Sequence, residues 1–335
     1  MDQNQKYSRR LEGDSAADQL FLLFKEDKNL FDSLHAVKTN AELIAFLKSN
    51  PNLSNLSVDF LTLPGIDQRK SHLATKFFNE HLNAIMLILG VYSLPYCYCG
   101  ANGTRVLITS KKITENPEKR LLETAEFVLD VCNEQAFDSE GRGLISIFKV
   151  RIMHAAARYY VRNSIPDEEP VNQDDMLATL LSFSLIVIRG LRTMGVNVSE
   201  NEAEAYVYYW NVIGERLGIK QDYLPKSIGH ASRLERDIRT REFVSSENGE
   251  TLTRSLVDFI NSQNNGRTPL SAEAMMAYFL EGKANYLGIK GSAVNFPLAS
   301  LSFNIYGLTN NLNQTNSSTI RKEISRRLTS LSVST

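Results

Sequence analysis

Apolar side chains recur every three or four residues along most of the chain. DQLFLLFKEDKNLFDSL (18–34), AELIAFLKS (41–49), KSHLATKFFNEHLNAIMLILGVY (70–92) and RLLETAEFVLDVCNEQAF (120–137) all carry this period, which gathers their apolar residues on one face of a helix. Helix-stopping chemistry separates them, at Asn50-Pro51, Pro64-Gly65, Asn116-Pro117, Gly141-Arg142-Gly143 and from Pro166 to Pro170. Only VLITSKKI (106–113) reads as a short extended piece. The pattern predicts an all-α protein.

After EGRG (140–143), LISIFKVRIMHAAARYYVRN places Leu144, Ile147, Ile152, Ala155 and Tyr159 in one broad stripe, and so predicts a buried helix. A boundary is expected within 245–271, where SSENGE and NSQNNGRTPLSAE supply loop chemistry around one short helix. Residues 1–245 are thus expected to form the main domain, and 246–335 a helical extension packed on it. The tail carries a small basic cluster of Arg321, Lys322, Arg326 and Arg327, read as a solvated terminal helix followed by disorder.

A formal net charge of −1 across 335 residues provides no field for polyanions, so nucleic acid is not an expected partner. The first nineteen residues are polar where a secretory signal needs an apolar core of about 7 to 15 residues. The apolar runs 84–99 and 177–191 fall short of the roughly 20 residues that cross a bilayer and read as buried core helices. A cytoplasmic protein without a membrane span is expected. Cys97, Cys99 and Cys132 lack zinc-site spacing, and no C-x-x-C-H exists to attach haem covalently; they read as small packing residues.

Of the five histidines, His35 and His72 have polar neighbours and look superficial. His81 precedes an apolar run, and His230 lies in a loop-like SIGHAS. His154 alone sits between two arginines in an apolar, small-residue helix. Arg151 and Arg158, three residues before it and four after, project from the same face. One reading is a haem site, with an imidazole under the iron, cations for the propionates and Ala155 to Ala157 leaving room for the macrocycle. The other is a pair of arginines salt-bridged to acids on a neighbouring helix. Upstream, Arg120 and Thr124 share a helix face beside Glu123. They could orient dioxygen or polarise a bound peroxide, or form part of an exposed rim. Trp210 reads chiefly as an aromatic anchor between helices.

RLLETAEFVLDV (120–131), VRIMHAAAR (150–158) and the stretch from Asn172 to Ile219 resemble the latex-clearing rubber oxygenases and the related mycophenolic-acid-pathway oxygenases. RLEGDSAAD (10–18) is similar to their amino-terminal Gly-Asp element, so the resemblance runs from about residue 10 to 240. It implies a globin-like helical core with added N- and C-terminal helices, non-covalent haem b, and oxygenation of an apolar substrate with dioxygen. On this resemblance His154 is the axial iron ligand, Arg151 and Arg158 pack around the haem, and Arg120, Thr124 and Thr179 belong to the pocket. Where the rubber oxygenases place lysine before the pocket threonine, this chain has Glu123, a candidate acid or base whose burial beside haem would raise its pKa. Their catalytic glutamate has no counterpart in GANGTRVLITSKK. A small intracellular lipid or terpenoid is therefore expected as substrate, in place of a polymer. The alternatives are a non-catalytic binder of haem or a hydrophobic ligand, and a cofactor-free helical scaffold.

Overall fold

The computed structural model describes residues 9–62, 65–109, 117–264, 270–290 and 317–333. Among these, every regular element is a helix, apart from an isolated antiparallel bridge between Gly100 and Phe243. In chain order the α-helices are α1 (Ser15–Glu26), α2 (Lys28–Ala36), α3 (Asn40–Ser49), α4 (Pro51–Leu56), α5 (Val58–Leu61), α6 (Gln68–Glu80), α7 (Leu82–Ile88), α8 (Leu94–Tyr98) and α9 (Ala101–Thr109). They continue with α10 (Pro117–Val131), α11 (Gly143–Val161), α12 (Gln173–Phe183), α13 (Leu185–Thr193), α14 (Glu200–Arg216), α15 (Ile228–Glu242), α16 (Glu247–Asn264), α17 (Ala272–Leu280) and α18 (Ser317–Val333).

Local chemistry sets the starts. Asp14 caps α1 by accepting from the Ala17 amide, Asn50 followed by Pro51 opens α4, and Ser199 with Glu202 closes a capping box on α14. The start of α11 is capped from a distance. Its own N-cap residue, Arg142, makes no side-chain cap bond, and the fully buried Asn40 supplies one. Asn40 Oδ1 accepts from the Leu144 and Ile145 amides at 2.9 and 3.3 Å, while Nδ2 donates to the Ala136 and Asp138 carbonyls. This pins the turn that launches the His154 helix.

A main hydrophobic core runs through the described residues, with a small second cluster of Val106, Val161 and Ile165. Leu20, Phe24, Phe148, Ile188, Trp210, Leu256, Met276 and Ile324 all belong to the main core, so helices on both sides of residue 245 share apolar burial. Helix α11 packs against α1 and α10, and α14 lies along α6. Trp210, 2% exposed, packs between Phe183, tilted against it, and Tyr206, edge-on to it, which is its anchoring role.

Several expectations are corrected. Residues 106–109 are helical within α9, while 110–113 lie outside the described residues. The β-branched content of VLIT yields to helix packing against α16. The helix expected over 120–137 ends at Val131, where the chain turns toward Gly141. Residues 247–264 form one long helix in place of a short one, and His230 stands in the first turn of α15. The apolar run near 177–191 extends to Gln173–Thr193, 21 residues, long and apolar enough to cross a membrane, yet 72% of its most apolar window is buried inside the protein.

The terminal helix is docked rather than solvated. In α18, Ile324 is buried, Arg321 pairs with the buried Asp130 and donates to the Leu129 carbonyl, and Arg327 reaches Glu118 and Gln263. It thereby spans α10 and α16. The disorder expected beyond it lies outside the described residues.

Candidate functional site

Helix α11 is buried because Ile147, Phe148, Ile152 and Ala155 face the core. Its arginines are committed to partners on the amino-terminal segment. Arg151 Nε and Nη2 donate to Asp14 Oδ2 and Oδ1 at 2.6 and 2.9 Å, a bidentate pair with both side chains under a tenth exposed. Arg158, wholly buried, donates to Asp18 Oδ1 at 2.7 Å and to the carbonyls of Val171 and Asp14. The salt-bridge alternative weighed for these two arginines is what the structure contains, and as direct seats for propionates they are already occupied.

His154 lies between them on the helix, half-buried, with its Nδ1 enclosed and without a hydrogen-bond partner. Burial pushes its pKa down to about 3, with Arg158 and Arg120 acting in the same direction and Asp14 opposing. The imidazole is therefore neutral across the physiological range and keeps a free lone pair. No three His, Cys, Asp or Glu side chains come together as a metal site among the described residues. A lone neutral imidazole suits a metal that arrives with most of its ligands already in place, as haem iron does.

Opposite His154 stands α10. Arg120 Nη1 lies 3.6 Å from the sulfur of Met153 and 3.5 Å from Glu123 Oε2. Glu123 is 42% exposed, so it is not the buried acid that the proposed proton-transfer role presumes. The Thr124 hydroxyl donates to the Arg120 carbonyl at 2.9 Å, and its side chain borders an apolar cavity of about 240 Å³. On α12 the exposed Thr179 donates to the Asp175 carbonyl and, with Ser182, hydrogen-bonds Cys97. Burial still pushes the Cys97 thiol up to about 11, so it is a thiol rather than a nucleophilic thiolate. Tyr98 feels both Cys97 and Arg120 and so links α8 to α10. The sequence-predicted residues on α10 and α12 thus reach α8, while those on α11 face α10 and α1.

Sequence reasoning missed what holds this arrangement. Gln173 Nε2 donates to the carbonyls of Gly13 and Gly218, and its Oε1 accepts from Lys220. Arg9 pairs with the buried Asp174 at 2.7 Å, and Arg10 with Glu168, Asp175 and Glu242. The Gly-Asp run at 13–14 was the available signal. Gly218, with φ +95°, packs against the Asp14–Arg151 pair so closely that a Cβ would sit 2.1 Å from Asp14 Oδ2. Gly218→Ala is expected to lose about 2–4 kcal/mol of stability, measured as a lower urea midpoint; a midpoint like the native one would show that the pair tolerates displacement.

The family model for the catalytic domain of the ER-bound oxygenases mpaB/B′ and rubber oxygenase matches residues 95–288. The rubber oxygenase of Streptomyces sp. (strain K30) is 26% identical over 171 residues, covering 49% of this chain and 42% of that protein. The match thus spans about two fifths of the relative's length. The structure of latex clearing protein LCP in the closed state is similar at TM-score 0.75, over 96% of this chain and 90% of that one, at 19% identity, a likeness of fold. With the family model covering more than half of the residues, the chain belongs to the mpaB and rubber oxygenase catalytic-domain family.

Proposed function

We propose that the chain is a haem-dependent oxygenase for a small apolar substrate, with His154 as the side chain that would hold the haem iron. The observation that carries this reading is the enclosed, unpartnered Nδ1 of His154 on α11, on the stretch where Arg120 of α10 meets the adjacent Met153. His154 and the flank of Ala156 and Ala157, both half-buried, would hold the haem from the α11 side. Bound haem iron supplies the activation of dioxygen. The chain's own residues do the rest. Arg120, with its guanidinium partly exposed, offers donors for developing negative charge. Thr124 fixes a polar point at the cavity edge, and the leucines and phenylalanines around it exclude water.

Arg151 and Arg158 hold α11 rather than the cofactor, through Asp14 and Asp18. Their pairing also favours the second reading, a cofactor-free helical scaffold in which these residues are a buried ion-pair network. The ultraviolet–visible spectrum of protein from haem-supplemented cells separates the two. The oxygenase reading expects a Soret band that is lost or shifted in His154→Ala. A colourless protein that takes up no haemin on titration would leave the scaffold.

A further inference from the structure

The helical stretch Leu82–Tyr98 contains a π-wound turn, Leu89–Ser93, that links α7 to α8. Such turns cost hydrogen-bond geometry and gather at functional sites. Gly90 lies within it and borders the apolar cavity. A glycine inside a helix is about 1 kcal/mol less favourable than alanine, so it wants a reason. Packing explains Gly190 and Gly214, where a Cβ would come within 2.8 Å of Ile88 and Leu180 respectively. No such reason holds for Gly90. Its φ is not positive, and its Cβ would meet only Ile260 Cδ1, at 3.9 Å, itself part of the cavity wall. The missing side chain leaves room inside the cavity.

Apart from the Met86 thioether the remaining wall is hydrocarbon, including Phe183 of α12 and Leu256 and Phe259 of α16. Thr124 is the one polar side chain among the described residues that line it. Because its proton goes to the Arg120 carbonyl, its oxygen is left to accept. A ligand group meeting Thr124 must therefore donate, as an alcohol does and an ether does not.

We propose that this cavity is the ligand chamber of the site, that Gly90 and Ile260 set its depth, and that it takes an uncharged, hydrocarbon-like alcohol. A cavity of 150 Å³ accommodates benzene, so about 240 Å³ scales to a ligand of about ten carbons. The proposal deepens the oxygenase reading, resting on it for the reaction and on the chamber alone for binding.

Displacement of N-phenyl-1-naphthylamine fluorescence from the purified chain, by decane and by octanol, decanol and tetradecanol, tests it without turnover. Decanol should displace the dye best, and decane less well. Gly90→Leu should weaken decanol by about tenfold or more, since it removes the room for two or three methylenes. Gly90→Ala, smaller and helix-favouring, should retain most of the affinity. Ile260→Ala should move the preference toward tetradecanol, and Thr124→Val should erase the margin of decanol over decane. Thermal melts of each variant identify any that fail to fold, and the Ile260 and Thr124 variants then carry the test. A native chain indifferent to decanol, or a folded Gly90→Leu that binds it as the native does, overturns the chamber. A Soret band beside a failed displacement would sink the chamber and leave the oxygenase standing; displacement by a colourless protein would do the reverse.

Discussion

Arg158→Ala is expected to lose about 3–5 kcal/mol of stability, a large share of the roughly 5–15 kcal/mol that holds a typical domain folded. Arg158 is wholly buried and meets Asp18 and two backbone carbonyls. Removing it takes the guanidinium donor from the Val171 carbonyl, leaves the Asp14 carbonyl only its helix bond from the Asp18 amide, and leaves Asp18, 27% exposed, only its longer contact with Arg162 at 3.5 Å. Urea unfolding of the haem-free chain reads the loss. If Arg158 served mainly to seat a cofactor carboxylate, the haem-free midpoint would hardly move and only haem affinity would fall. That outcome would overturn the structural role assigned to it here. Arg158→Lys should recover only part, because an ammonium cannot reproduce the fan of donors that reaches all three acceptors.

Asp175 should contribute a stabilisation that falls as pH rises from about 4 through 7. Burial pushes its carboxyl up to about 7, with Glu242, Glu168 and Asp174 adding to the shift and Arg10 opposing it. Between its ordinary value of 3.8 and about 7 the folded chain holds a proton that the unfolded chain has released. The stabilisation is therefore full below the lower value and lost as pH passes the upper one. The window spans roughly three units, an upper bound on the order of 4 kcal/mol. His154 works in the opposite sense. Its folded value of about 3 lies below the ordinary 6.5, so its contribution is present above 6.5 and lost as pH falls through about 3. Comparing urea midpoints at pH 5 and pH 8 for the native chain and Asp175→Asn isolates the aspartate. The variant should show a smaller decline, and an unchanged difference would discount it.

The helical class and the family were legible in the sequence because both rest on local signals. The three-to-four-residue period marks the helices, and RLLETAEF with VRIMHAAAR carries the resemblance. The shared face of Arg151, His154 and Arg158 was equally local. Their partners were not. Asp14 is 137 residues from Arg151, and no period links the two. The burial that a haem-side acid at Glu123 requires is absent for the same reason. Spacing says which residues share a helix face but not which faces meet, and here Glu123 turns to Arg120 and solvent. VLIT was misjudged because β-branched content weighs less than the neighbours that α9 packs against. The basic cluster at 321–327 looked superficial because Asp130 and Glu118, the acids that receive Arg321 and Arg327, lie on α10, far upstream.

The Arg151–Asp14 and Arg321–Asp130 pairs set the order in which parts of the chain can join. Helices α1 and α11 form from neighbouring residues on the microsecond scale, but the bonds that join them close a loop of 137 residues. Arg321 finds Asp130 only across 191 residues. On a ribosome adding about 5–20 residues per second, Asp14 waits on the order of ten seconds for Arg151, and Asp130 as long again for Arg321. Until then Asp130 has Arg142 and Ser146 as nearby stand-ins, while Asp14 has only the cap of its own helix. The two seams are thus made at different moments. The helix bearing Arg120 is tethered locally and tightened late, whereas the helix bearing His154 gains its acidic anchors only when segments far apart in the sequence meet.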